Sequence, residues 1–298
     1  MARGLVLLDA GEVTPAPSYP SIAYVATGFS TVAMQDNDSF TNNSWTAKTN
    51  TPTPARYNSA GTTLTNKCYV FGGQNFGTLY SDNDEYIPDI WSSRTNVIAP
   101  SRASSTCFAL EDDGYVCTGK TVSNIQDNDK YTFDTWASKT STPTPARLAA
   151  CACALLGSGY LFGGRDNDAN EVADNDEYNA TGNSWSSKTN VPEELYGSIA
   201  VASNNKAYII CGADANNDAL FANYEYTVNT WVTKTDCPIA RWSATGFNLN
   251  GNIYLTHGYY AGDSSNHTET EEYNISDSWT TKASSIAPER RATVGNAI

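Results

Sequence analysis

The sequence predicts an all-β chain folded as a closed, six-bladed β-propeller. Three observations predict it. Six tryptophans, Trp45, Trp91, Trp136, Trp185, Trp231 and Trp279, recur at spacings of 46, 45, 49, 46 and 48 residues. Each is preceded by an aromatic: Phe40, Tyr86, Tyr131, Tyr178, Tyr226 or Tyr273. Upstream of each aromatic a short apolar run ends in glycine, at Gly28, Gly73, Gly119, Gly164, Gly212 and Gly258. Such a period, without helical patterning, marks small sheets that bury both faces only by stacking around an axis.

One unit gives the elements in order. After Arg56, small and β-prone residues run to Leu64 as a first strand. Thr65-Asn66-Lys67 makes a turn. The apolar run to Gly73 is the second strand, ended where the backbone must turn or pack closely. Asp82 to Tyr86 forms the third. Alternation puts Asp82, Asp84 and Tyr86 on one face and Asn83 and Glu85 on the other. Trp91 opens the fourth, which a proline-bearing segment ends. The first unit begins late, at its second strand (Ser21 to Gly28), while Arg290 to Ile298 reads as a first strand with nothing after it. Joined in one blade, the two fragments close the ring without a free edge. The propeller then spans residues 21–298. Residues 1–20 are an N-terminal arm, with Gly4 to Leu8 as a strand and Thr14 to Pro20 as an extended linker.

The Gly-Gly doublet, the Tyr, the Trp five to seven residues later and the Pro-x-Arg that opens the next unit resemble the kelch repeat over residues 21–298. The resemblance implies four-stranded blades and the same ring closure. Two departures stand out. Only two units keep both glycines, and one has Tyr196 where the others carry Arg.

Charge narrows the function. The 298-residue chain carries 18 Lys+Arg against 32 Asp+Glu, a net −14. Without clustered cations this argues against nucleic acid and against anionic membrane surfaces. The opening apolar run, Leu5 to Leu8, is too short for a signal peptide. A soluble chain is expected, cytoplasmic or part of an assembled surface or virion particle. Seven cysteines, an odd number, read as small buried hydrophobes. Cys107 and Cys117 are the one pair that a hairpin brings near each other.

The Asp-Asn-Asp triplets, at Asp36/Asp38, Asp82/Asp84, Asp127/Asp129 and Asp174/Asp176, fall at one place in each unit. They read as scaffold, paired with the Arg56, Arg102 and Arg147 series or with Lys48, Arg94, Lys139 and Lys188. Two loops break the repeat: Asp166, Asp168 and Asn170, and Asp214, Asn216 and Asp218. Alternate oxygen side chains suit a hard cation, and Ca²⁺ is the one cofactor the sequence suggests. Ordinary Asx-turn chemistry competes with it. Of the two histidines, His257 replaces the first glycine of a doublet and reads as structural.

Loops between second and third strands share a face with the blade-to-blade connections. Those loops diverge while the connections repeat, and divergent loops on a rigid frame suit recognition. Phe76, Tyr80, Arg165, Phe221, Tyr259 and Tyr260 are the expected contact residues. The expected function is a non-enzymatic binding or assembly module. Its partners would be proteins or further copies joined through residues 1–20, as in a surface or virion subunit. The alternative is a carbohydrate-binding or carbohydrate-active propeller of sialic-acid or other sugar chemistry.

Overall fold

The computed structural model describes residues 20–260 and 262–298. Six four-stranded antiparallel sheets surround an axis. The second blade is typical: Ala60–Leu64 innermost, then Lys67–Phe71, Asn83–Ile87 and, outermost, Ile90–Arg94. In the first blade, Val294–Ala297 is innermost and pairs Val25 with Gly295 on Ala23–Ala26. The C-terminal strand therefore closes the ring, as the sequence predicts. Pro20 and Ile298 come together where every other blade has its first hairpin turn, because Ser21 and Ile22 N–H both donate to Ile298 C=O. The arm expected at residues 1–20 lies outside the described residues except for Pro20. Among the described residues no helix is long and apolar enough to cross a membrane.

The periodic aromatics hold blade to blade. Each third-strand aromatic packs on the tryptophan of its own blade, with ring centroids 4.7–5.0 Å apart. Each of those tryptophans donates its Nε1–H to a carbonyl of the preceding blade, as Trp136 does to Thr95 at 2.8 Å. Asn or Asp at the outer hairpin tip adds a second staple. Asp134 accepts from Thr95 N–H, Asn183 from Thr140 and Asp277 from Thr235.

Backbone geometry explains the uneven glycines. The last residue of each doublet has φ between 103° and 128° (Gly28, Gly73, Gly119, Gly164, Gly212, Gly258). Side chains rarely reach that region, so all six blades keep glycine there. The residue before it needs only a left-handed φ near 60°. Thr27, Thr118, Cys211 and His257 adopt that conformation in place of glycine.

The Asp triplets are scaffold, and their second acid meets the arginine that opens the same blade. Arg56–Asp84, Arg102–Asp129 and Arg147–Asp176 are each 2.5 Å apart, Arg241–Glu271 is 2.6 Å and Arg290–Asp38 is 2.9 Å. All five arginines are fully buried. Burial pushes the Asp38 carboxyl up and the Arg290 guanidinium down, against the attraction between them. Taking two charges out of water offsets much of the attraction in a buried pair, so such a pair is weak evidence of added stability.

The fifth blade corrects the sequence reading. Leu195, not Tyr196, stands at the arginine's place; the bridge from Tyr196 to Ala213 matches that from Tyr57, after Arg56, to Gln74. Its acid is also gone, replaced by Tyr224, whose hydroxyl donates to Glu193. Strand register separates the two cysteines of the third blade as well: Cys107 lies opposite Val116 and Cys117 opposite Thr106. All seven cysteines are free thiols.

Candidate functional site

The blade-to-blade crossovers and the second-to-third-strand loops meet on one face, as the sequence predicts. Around its central mouth runs a hoop of backbone hydrogen bonds. Ser104 N–H donates to Asn58 C=O, Ala149 to Ser104, Gly197 to Ala149, Ser243 to Gly197, Ala292 to Ser243 and Asn58 to Ala292. The six residues have φ of 50–62°, so small or turn-forming residues fill the positions. The cavity at this mouth is about 110 Å³ and the channel beneath it about 170 Å³. Both are smaller than the roughly 300 Å³ and more of ligand pockets. A larger cavity of about 680 Å³ opens at the opposite mouth beside Pro20, and among the described residues no charged side chain lines it.

Just outside the hoop each blade adds a two-residue antiparallel rung. The rungs are Phe29–Arg291, Tyr57–Gln74, Ala103–Lys120, Leu148–Arg165, Tyr196–Ala213 and Trp242–Tyr259. Their backbone geometry repeats, and their side chains do not. In a chain of net −14, the twelve positions hold three cations, five aromatics and no carboxylate.

The aromatics form an arc over four neighbouring blades. Tyr196 and Trp242 are 5.9 Å apart, Trp242 and Tyr259 5.4 Å, and Phe29 and Tyr57 4.8 Å. Phe76, 68% exposed, extends the arc 6.1 Å from Phe29. Arg291 is at its centre. Its guanidinium lies 4.4 Å from the ring centre of Tyr259, 5.2 Å from Trp242 and 5.5 Å from Phe29. Contacts of this kind are each worth about 0.5–2 kcal/mol. Burial lowers the guanidinium from its ordinary value, and Tyr259 offsets part of that. Among the described residues no carboxylate lies within ion-pair reach of Arg291. The other rim arginine is committed: Arg165 pairs with Glu171 at 2.7 Å and covers Tyr196 at 4.8 Å. The indole Nε1–H of Trp242 is buried with no acceptor.

Of the contact residues expected from sequence, Tyr259, Arg165 and Phe76 join this rim. Tyr80 packs below it near Phe71 and Arg102, Phe221 is 45% exposed on its own loop, and Tyr260 faces His267. Sequence reasoning missed Arg291, Trp242, Phe29, Tyr57 and Tyr196. One signal was present, because Trp242 is the single tryptophan outside the periodic series. In the two Asx-rich loops, Asp166 accepts from the N–H of Asp168 and Asn170, and Asp214 from that of Asn216 and Asp218. Each first Asp thereby holds its own loop as an Asx turn. Among the described residues no three His, Cys, Asp or Glu side chains are grouped to hold a metal. His257 is fully buried, and its imidazole is pulled well down by burial and by Arg290 and Arg241.

No family model and no curated protein matches the chain. A solved structure entitled "Structure of YjhT" aligns with 90% of this chain and 98% of its own. The TM-score is 0.74 and the identity 15%, a likeness of fold alone.

Proposed function

We propose that the chain is a non-enzymatic binding module, a propeller of kelch type that receives its partner on the crossover rim. The observation that carries this reading is the contrast at the six rungs. A repeated backbone frame displays unrepeated side chains, rich in aromatics and cations, at the centre of one face. Aromatic and arginine side chains dominate binding energy at interfaces. The buried acids are engaged by arginines or lysines, as Asp84 is by Arg56 and Glu225 by Lys206. Pro20 C=O accepts from Asn250 N–H in a hairpin turn on the opposite face. Anchoring through residues 1–20, as in a surface or virion subunit, would therefore leave the rim free.

The test is a thermal-shift screen of the full chain against sugars, organic acids and peptides. Hits should vanish in the Tyr57→Ala/Trp242→Ala variant. They should persist in Ile90→Ala/Phe133→Ala, which alters exposed residues of the opposite face. The reverse pattern would move the binding face. Carbohydrate binding is the second reading, favoured by the flat faces of the arc, and a glycan array decides it.

A further inference from the structure

We infer that the rim takes a carboxylate carried on a flat or apolar body, with Arg291 as the group that binds the acid. This deepens the rim-binding reading and rests on it. Three observations point to that chemistry. First, the other ring-forming arginines are matched to acids: Arg290, its neighbour in sequence, reaches Asp38 at 2.9 Å. Arg291 is half-buried among three rings with no acid in reach. Its planar fork has the Tyr259 side chain as a hydrogen-bond partner but no acid, and such a fork is complementary to a carboxylate, which accepts two parallel hydrogen bonds. Second, Trp242, which flanks the guanidinium at 5.2 Å, has a buried Nε1–H with no partner. A buried donor left unpaired is costly until a ligand supplies an acceptor. Third, the walls are aromatic, so the body that carries the acid meets rings rather than charges.

Arg291 is the one cation of the aromatic arc with no acid in reach, inside a chain of net −14. That balance favours a monoanion over a phosphate dianion, which would need further positive charge. Two sources carry the shared chemistry: a free organic acid, and an acidic side chain beside an apolar one in a peptide.

The experiment titrates the full chain with sodium benzoate, with the capped dipeptide Asp-Phe amide and with benzamide. Calorimetry is the readout, with tryptophan emission in parallel. Saturable binding of benzoate or of the dipeptide, without binding of benzamide, is expected; the tighter of the two names the source. Arg291→Gln should weaken that binding by about ten- to a hundred-fold. Arg291→Lys keeps the charge and stem but loses the fork, and should fall between. Trp242→Phe keeps a ring, loses the donor and should weaken binding about three- to tenfold. Unchanged melting temperatures establish that each variant is folded. The inference is overturned if neither acid saturates, if benzamide binds equally, or if Arg291→Gln binds as the parent does. If acids fail while a neutral ligand still requires Tyr57 and Trp242, the carboxylate falls and the rim reading stands. If no ligand of any charge depends on the rim, both fall.

Discussion

Leu195 and Tyr224 occupy, in the fifth blade, the two places that a buried arginine and an acid fill in each of the other five. They belong to one apolar cluster. Both members of the ion pair have been replaced together. An unpaired buried charge costs about 3–5 kcal/mol, whereas exchanging a whole pair for apolar groups is near neutral. Leu195→Arg alone should therefore lower unfolding stability by about 3–5 kcal/mol. Adding Tyr224→Asp, which recreates the geometry of the other blades, should recover most of that loss. Urea denaturation of the three proteins checks it.

The two kinds of glycine should respond differently to a methyl group. At Gly119, with φ of 107°, a Cβ would meet Ser105 Oγ at 2.5 Å and Ala103 C=O at 2.9 Å. At Gly77, with φ of 88°, it would meet nothing within 4 Å. Gly77→Ala should cost about 1–2 kcal/mol from the backbone alone. Gly119→Ala should cost clearly more, because the crowding atoms include a carbonyl. Equal losses in chemical denaturation would show that steric crowding adds nothing at Gly119.

Tryptophan to phenylalanine separates staples from site. Trp136→Phe removes the bond to Thr95 C=O and leaves that carbonyl one donor short, so a loss of about 1–2 kcal/mol is expected. Trp242→Phe removes a donor that has no protein acceptor, and stability should hold or rise. Comparable destabilisation by both would place Trp242 in the frame.

Acid sensitivity should reside partly at the outer hairpin tips. The Thr95 N–H holds the Asp134 carboxyl below its usual range, and the Thr235 N–H does the same for Asp277. A carboxyl whose folded pKa is depressed adds stability above its unfolded value of about 3.9, which is lost as pH falls through the folded value. Asn183 and Asn229 make the same bond without a charge. Asp134→Asn/Asp277→Asn should thus leave melting near pH 7 almost unchanged and flatten its decline below about pH 4. Melting followed by circular dichroism between pH 7 and pH 2 tests this, and an unaltered acid decline would rule it out.

The frame was legible because its physics repeats. Trp136 and its five counterparts recur since each closes the same hydrogen bond to the blade before it. Gly119 and its counterparts recur since no side chain fits their φ. The rim was harder to read for the opposite reason. Arg291 looks like a second copy of Arg290, and only the register shows that one faces Asp38 while the other faces Trp242 and Tyr259. Tyr196 was read one position out because its blade lacks the arginine that sets the alignment. Phe29 and Tyr57, remote in sequence from Trp242, meet the same arc only after the ring closes.

The hoop of six crossover amides has no first or last member. Each crossover is tied to both its neighbours, so the mouth keeps its aperture while all six bonds hold. If the proposed partner binds at the rim, selectivity would come from side-chain rotation on a fixed collar, with little ordering entropy lost. In deuterated water the amides of Asn58, Ser104, Ala149, Gly197, Ser243 and Ala292 would exchange as a set, at the pace of global unfolding.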